Sequence, residues 1–325
     1  MKGLFKKSLV KTLVFGVLAG GAANAMAQGA FPDRAITIVV GSQAGSAPDV
    51  LARILAMEMG NELKQSIIVE NKPGATGSIG AGYVATSQPD GYTLLMGTVS
   101  NIALAPLGKS VRYKASDFAT VSAVASVPLV LVTAPDANVH SLSDLKALAA
   151  KTPGGLAYSS PGIGGPQHLA GLLLQKELDI PLLHVPYKSG AAAALAVASG
   201  ETQLTFAGVS AALPLINSKK VAPVFVTSPT PLQALPGVPS AVDIKAPGFL
   251  VDNWHGLFAP KDLPQPVADT LAAAVQKALK SDSVQKKFTA QGAEVDLRDA
   301  AKYSEFVREE AVRWSNVVKE NGLTL

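Results

Sequence analysis

The 325-residue chain contains no cysteine. That excludes a disulfide scaffold, a thiolate metal site, a cysteine nucleophile and a lipid-bearing cysteine at a processing site. Charged residues are also few, 16% against 48% apolar, which excludes a disordered chain. Histidine is scarce as well. The four present, His140, His168, His184 and His255, have no H-x-x-x-H spacing, so no zinc site is expected. Neither a P-loop nor a G-x-S-x-G elbow occurs. The segment Gly162-Ile163-Gly164-Gly165-Pro166-Gln167 lacks the third glycine of a dinucleotide fingerprint. No enzyme class is favoured, and no cofactor is expected. A serine hydrolase built from Ser159 and His168 is the remote alternative.

The N-terminus accounts for the apparent basicity. Lys2, Lys6, Lys7 and Lys11 precede the apolar run Leu13 to Ala23 and an A-x-A site at Ala25-Met26-Ala27. This is the pattern of a cleavable signal peptide over residues 1–27, with an apolar run too short for a comfortable membrane span. Removing its four lysines from the 28 basic residues leaves 24, equal to the 24 acids. No basic surplus remains for nucleic acid. Export without disulfides fits a bacterial periplasm, where a large core makes staples unnecessary. The remaining 298 residues suffice for one large domain or two lobes.

Strand and helix patterns alternate through the chain. Ile36 to Val40 is a β-branched run, hence a buried strand. A small-residue loop follows, then a helix expected from Pro48 to a stop at Gly60. The stretch Ile68 to Met96 reads as strand, glycine-rich turn, helix, turn and strand, because Pro73 and Gly74 permit only a loop after Asn71. Ser141 caps a helix, and Ser189-Gly190 begins an alanine-rich one stopped by Gly200. Pro229 to Gly248 is expected as a long surface connection. In the last helix Tyr303, Phe306, Val307, Ala311, Trp314, Val317 and Val318 recur at spacings of three and four, so one face is buried. Short βα units imply parallel sheets covered by helices. Two sheets are expected, with crossings near Ser126-Val127-Pro128 and Val251 to Trp254. A ligand then belongs at the carboxyl ends of the strands. Four small-residue loops lie there: Gly41–Ala47, Asn71–Gly77, Gly97–Asn101 and Ser159–Gly165.

Several motifs in order carry a resemblance over nearly all of the mature chain. They are Phe31-Pro32, Ala44-Gly45 with Asp49, Val69-Glu70-Asn71-Lys72-Pro73-Gly74-Ala75, and Pro89-Asp90-Gly91-Tyr92-Thr93-Leu94. Further on come Ser159-Ser160-Pro161-Gly162 with Gln167-His168-Leu169, His184-Val185-Pro186-Tyr187-Lys188, Leu235-Pro236-Gly237-Val238-Pro239, and Trp254-His255-Gly256-Leu257-Phe258-Ala259-Pro260. Together they resemble the extracytoplasmic solute receptors of tripartite tricarboxylate transporters, the Bug family. The resemblance implies an α/β, two-lobed periplasmic-binding-protein fold of type II (Venus-flytrap) with two crossover segments. One lobe would hold residues 28–126 plus 251–325 and the other residues 127–250. It also implies a monomer that holds a carboxylate between the lobes and delivers it to separate membrane transporter subunits. A sensory module for a sensor kinase is the alternative. Three positions depart from the family pattern. Gly41-Ser42 replaces Pro-Phe, Gly165 replaces Ser or Thr, and Ala207-Gly208 replaces Asp-Asn.

The expected site is made of neutral donors. Backbone N–H groups of Ser42, Gln43, Ala44 and Gly45 serve one end of the ligand, with a helix start behind them. Hydroxyls of Ser42, Thr76, Thr98, Ser100, Ser159 and Ser160 add charge-assisted bonds. Gly164, Gly165, Tyr187, Ala207 and Gly208 complete the expected contacts. Phe206, Tyr187 or Trp254 would cover the ligand body. Ser42, Thr98 and Ser100 read equally as turn caps, His168 as a packed histidine, Lys188 as a solvated strand end, and Trp254 as core or hinge. Without an acid at Ala207 an amino-acid ammonium would lack a partner, which favours a carboxylic acid without an amine, aliphatic or aromatic.

Overall fold

A computed structural model describes residues 31–323. The leader expected at residues 1–27 lies outside the described residues. The chain forms β1 (Ile36–Val40), α1 (Ala47–Leu63), β2 (Ile67–Asn71), α2 (Ser78–Ala85), β3 (Thr93–Thr98) and β4 (Phe118–Ser126). It continues as β5 (Leu129–Thr133), α3 (Leu142–Lys151), β6 (Leu156–Ser160), α4 (Pro166–Leu178), β7 (Leu182–Pro186), α5 (Gly190–Ala198), β8 (Leu204–Gly208), α6 (Val209–Asn217) and β9 (Ala222–Val226). It ends in β10 (His255–Pro260), α7 (Gln265–Leu279), α8 (Asp282–Ala290), β11 (Glu294–Val295) and α9 (Ala300–Glu320).

Two sheets result, ordered β11-β4-β10-β3-β1-β2 and β7-β6-β8-β5-β9. They give a two-lobed α/β fold. The sheets are mixed, which corrects the expectation of parallel ones. In the first, β10 runs antiparallel to both β3 and β4; in the second, β5 runs antiparallel to both β8 and β9. The cause is the crossing itself. Chain leaving β4 at its carboxyl end enters the second sheet at the edge where β6, β7 and β8 finish, so β5 must start there and run against them. β10 re-enters the first sheet under the same constraint.

The crossings are joined to each other. Pro128 bridges Asp252, Val127 donates its N–H to Asp252 Oδ1 at 2.8 Å, and Asn253 donates to the Val127 carbonyl at 3.2 Å. Thr227 Oγ1 accepts from Leu129 N at 2.8 Å and donates to the Val251 carbonyl at 2.6 Å. The long helix α9 straps this region. Its buried Glu310 carboxylate accepts from the indoles of Trp254 (3.2 Å) and Trp314 (2.9 Å), and Arg313 donates to the Leu250 carbonyl at 2.6 Å. Lys176 of α4 pairs with Glu320 of α9 at 2.8 Å, tying the strap to the second sheet's helices.

Three local expectations change. α1 runs past Gly60 and ends at Lys64 in the left-handed region (φ 54). Gly60 instead permits close approach: a Cβ there would lie 3.1 Å from the Gln65 carbonyl. The segment 229–248 is no surface connection, since Leu232, Leu235, Val238, Ala241 and Ala246 are all buried. Prolines punctuate it, but Leu232, Leu235 and Val238 between them fill the core beside α5 and α6, and Ala241 and Ala246 join the main core. α6 carries Pro214 inside it, which hides it from a pattern reading.

Candidate ligand-binding cleft

The loops after β1, β2 and β3 meet because these strands are adjacent and parallel. Contact is direct. A Cβ on Gly41 would stand 2.7 Å from the Gly77 carbonyl oxygen, and one on Gly77 would stand 3.3 Å from the Asn101 side chain. Glycine is required at both positions for three loops to share this space. In the middle loop four successive residues have positive φ: Gly74 (127), Ala75 (46), Thr76 (56) and Gly77 (86). Two are not glycine, a strained arrangement costing on the order of 1–3 kcal/mol each. It leaves Thr76 exposed at the turn tip.

A network beneath the first loop fixes its shape. Asp49, 2% exposed on α1, accepts from Gly45 N at 2.8 Å, from Arg53, and from Asn71 Nδ2 at 2.9 Å. Asn71 also donates to the Ser42 carbonyl at 3.0 Å and accepts from Arg53 at 3.0 Å. Burial pushes the Asp49 carboxyl up, but hydrogen bonds from Arg53, Gly45 and Asn71 and the Arg53 charge more than offset it. The group is held below the usual carboxylate range. Its charge is thereby consumed inside the scaffold. The Asn71 side chain explains why an asparagine precedes Lys72-Pro73-Gly74: it pins the neighbouring loop.

Not every expected donor is available. The Gly45 N–H is taken by Asp49, and Ser42 Oγ bonds Ser46 Oγ at 2.6 Å. Thr98 caps the helical turn Val99–Leu104, with its N–H donating to Asn101 Oδ1 at 2.8 Å and its hydroxyl facing Asn101 N at 3.4 Å. Ser100 stands half-buried in that turn, and Gln43 and Ala44 are exposed at the tip of the first loop.

In the second sheet Ser160, Tyr187 and Gly208 stand at one edge, the carboxyl ends of β6, β7 and β8. Alternation along β6 sends Ser159 and Ser160 to opposite faces. Ser159 is fully buried, donates to the Ala193 carbonyl of α5 at 2.8 Å and accepts from Thr202 at 3.1 Å. It is therefore not a ligand contact, and it is separated from His168, which lies on α4 against the other face. Ser160 Oγ lies 2.6 Å from His184 Nε2 and donates to the Gly162 carbonyl at 2.8 Å. Gly164 donates its N–H to His168 Nδ1 at 3.1 Å, so that donor is also used within the protein. Gly165 is the half-exposed N-cap of α4.

The β8 end corrects another expectation. Ala207 is 2% exposed and packs with Val130, Ala194 and Val209, so its side chain does not reach a ligand. Gly208 does face open space, with nothing within 4 Å of a Cβ built there. The Tyr187 hydroxyl is a buried atom beside Glu201; burial and that carboxylate raise it. Phe206 and Trp254 are both fully buried, one against Phe225, the other under α9, and neither can cover a ligand. Two networks escaped the sequence reading: Asp49–Arg53–Asn71, and His168 with His184. Motif position alone signalled them.

What remains is a donor-rich edge with little charge. Lys72 is paired with Glu70 at 2.6 Å, and Lys188 is exposed. Among the described residues no group of acids and histidines could hold a metal ion, and no helix is long and apolar enough to cross a membrane.

The profile of the tripartite tricarboxylate transporter family receptors matches residues 51–323. Three solved structures share the fold over nearly their whole length. The periplasmic binding protein BugD is 31% identical, with a TM-score of 0.79, covering 90% of this chain and 99% of that one. The R. palustris protein Rpa4515, solved with adipate, is 30% identical, with a TM-score of 0.82 and coverage of 90% and 99%. MatC from Rhodopseudomonas palustris, with bound malate, is 30% identical, with a TM-score of 0.78 and coverage of 89% and 100%.

Proposed function

This chain belongs to the tripartite tricarboxylate transporter receptor family, and we propose that it captures an amine-free organic carboxylate, best a dicarboxylate, between its two lobes. Receptors of this family are periplasmic binding proteins rather than enzymes. The lobes comprise residues 28–126 plus 251–325 and residues 127–250, after removal of a leader at residues 1–27. The protein works as an unanchored periplasmic monomer and delivers its ligand to the separate membrane subunits of a tripartite transporter.

One observation carries this reading: on the first sheet's loops the neutral donors Gln43, Ala44 and Thr76 are exposed and Ser100 half-buried, while the buried acid beneath them, Asp49, is already neutralised. A carboxylate is satisfied by such donors at ~1.5–3 kcal/mol per charge-assisted bond. An ammonium finds no free acid and would be left unpaired. Ser42, Gln43, Ala44, Thr76 and Ser100 hold one carboxylate. Gly165 and Gly208 face the other end, and Ser160, buried and bonded to Gly162 and His184, shapes that loop rather than touching the ligand. Micromolar affinity requires about 8 kcal/mol net, so both ends and the ligand body must contribute. Neighbours that hold adipate and malate support the ligand class.

Calorimetry and thermal shift with adipate, malate, benzoate and aspartate test the proposal. A dicarboxylate should raise the melting temperature and bind at micromolar concentration. Tight binding of aspartate with no response to the other three refutes it. Loss of uptake of the bound acid in a deletion strain tests delivery.

A further inference from the structure

The loop that follows β6 is held from below by two histidines. Their rings lie 4.1 Å apart, centroid to centroid, inclined at 32°. His168 on α4 takes the N–H of Gly164 on its Nδ1 at 3.1 Å. His184 on β7 places Nε2 2.6 Å from Ser160 Oγ. Ser160 Oγ in turn donates to the Gly162 carbonyl at 2.8 Å and accepts from Gly162 N at 3.2 Å. Gly162 (φ 139) and Gly164 (φ 78) give the loop a backbone path closed to most side chains, so local preference alone does not hold it.

Proton counting fixes the state of both rings. A backbone N–H cannot be accepted by a protonated nitrogen, so His168 Nδ1 is bare and its proton sits on Nε2. Ser160 has one hydroxyl proton. If that proton goes to the Gly162 carbonyl, the short contact with His184 requires His184 Nε2–H to be the donor. The chain then runs from His184 through Ser160 to Gly162.

We propose that His168 and His184 are positioning residues for the second lobe's ligand loop, each acting as the neutral Nε2–H tautomer that fixes Gly162 and Gly164. The inference rests on the reading of that loop as one wall of a carboxylate site. A second proton on His168 would go to Nδ1 and expel the Gly164 N–H. A second proton on His184 would place a cation against its neighbour. Burial lowers both rings, His168 to about 4 with the His184 charge adding to the effect. Other titratable groups on the packed elements leave this logic intact. Tyr158 of β6 donates to the His168 carbonyl at 3.1 Å and is raised above the titrating range by burial. On α4, Lys176 is paired with Glu320, and Glu177 lies towards Gly248. β7 contributes His184 alone, and neither β8 nor the turn Pro247–Phe249 carries a titratable side chain.

The test uses the mature protein and four variants. His168→Asn keeps an acceptor near the Nδ1 position, and His184→Gln keeps a donor near Nε2; H168L and H184L keep neither. Adipate affinity by calorimetry at pH 7.5 should fall at least tenfold in both leucine variants and stay within about threefold of wild type in H168N and H184Q. Below pH 5 wild type should lose affinity relative to H168N, a ratio that cancels titration of adipate itself. In the ligand-free protein, imidazole nitrogen shifts should report Nε2–H for both rings. The Gly164 amide should titrate together with His168. An Nδ1–H tautomer, a Gly164 amide blind to His168, or wild-type affinity in H168L overturns the proposal. If wild type binds no carboxylate, the functional reading fails, and the ligand-free spectra still decide the role of the histidines.

Discussion

Replacing Gly41 by alanine should separate the loops of the first lobe. The new Cβ would stand 2.7 Å from the Gly77 carbonyl oxygen, 2.8 Å from Gly77 Cα and 3.2 Å from its carbonyl carbon, where ordinary contact begins at 3.4 Å. Relief requires a shift of about 0.7 Å, and neither side yields easily. Val40 is locked between Asn71 and Met96 in the ladder, and its carbonyl accepts from Lys72 N at 2.9 Å. Behind Gly77 stands Asn101. Overpacking of this kind costs typically 1–3 kcal/mol. At roughly 2–4 °C per kcal/mol for a chain of this size, the melting temperature should drop by about 2–12 °C. The functional effect should exceed the structural one. A 0.7 Å displacement stretches a 2.8 Å hydrogen bond to the edge of its range, and losing one charge-assisted bond removes ~1.5–3 kcal/mol. Affinity for the best dicarboxylate should therefore fall about tenfold to a hundredfold by calorimetry. Gly190→Ala is the control, because its Cβ meets nothing within 4 Å at the start of α5. G41A with wild-type melting temperature and affinity would refute the argument that these loops must touch.

Glu310→Leu should destabilise the strap, because it leaves the indole N–H groups of Trp254 and Trp314 buried without an acceptor. At about 1–3 kcal/mol per orphaned donor, urea unfolding should show a loss of about 2–6 kcal/mol, and less for Glu310→Gln. His255→Leu should have the opposite sign. Neither ring nitrogen of this fully buried histidine has a hydrogen-bond partner, and burial lowers it to about 4, the backbone of Asn253 offsetting part of the shift. The unfolded chain binds its proton near pH 6.5 and the folded chain only near 4, so stability falls as pH drops through that window. At 1.36 kcal/mol per unit the loss reaches on the order of 3 kcal/mol. H255L should therefore unfold at higher urea than wild type at pH 4.5, with a smaller gain at pH 7.5; a larger gain at pH 7.5 would contradict this.

Element type was largely legible from sequence because each lobe repeats one device, a β-branched strand followed by a capped helix. Ser141 and Ser189 do cap α3 and α5, accepting from Asp144 N and Ala192 N. Both crossings were legible too, since Pro128 interrupts an apolar run at the point where the chain changes sheet. Strand direction was not. Whether β5 and β10 run with or against their neighbours depends on which edge the chain enters, and local pattern holds no record of that. The segment 229–248 misled for a related reason. Proline and glycine mark where backbone turns, and burial there is decided by Leu232, Leu235 and Val238 between the turns.

The site was legible as loops and illegible as atoms. Ser159 and Ser160 are adjacent and chemically alike, yet a period of two sends one hydroxyl to α5 and the other to His184. Composition cannot tell them apart; the register of β6 against β7, which pairs Tyr158 with His184, does. Ala207 is buried inside β8 while Gly208, the strand's last residue, meets open space, which moves the specificity question one residue along. An acid at 207 would enter an apolar cluster, whereas an acid at 208 would enter open space. Gly208→Asp therefore distinguishes steric from electrostatic selection. If absence of a counter-charge is what excludes amino acids, G208D should gain aspartate binding and weaken adipate binding through like-charge repulsion. If G208D gains no aspartate binding while keeping the wild-type melting temperature, the missing counter-charge is not what excludes amino acids, and loop shape is.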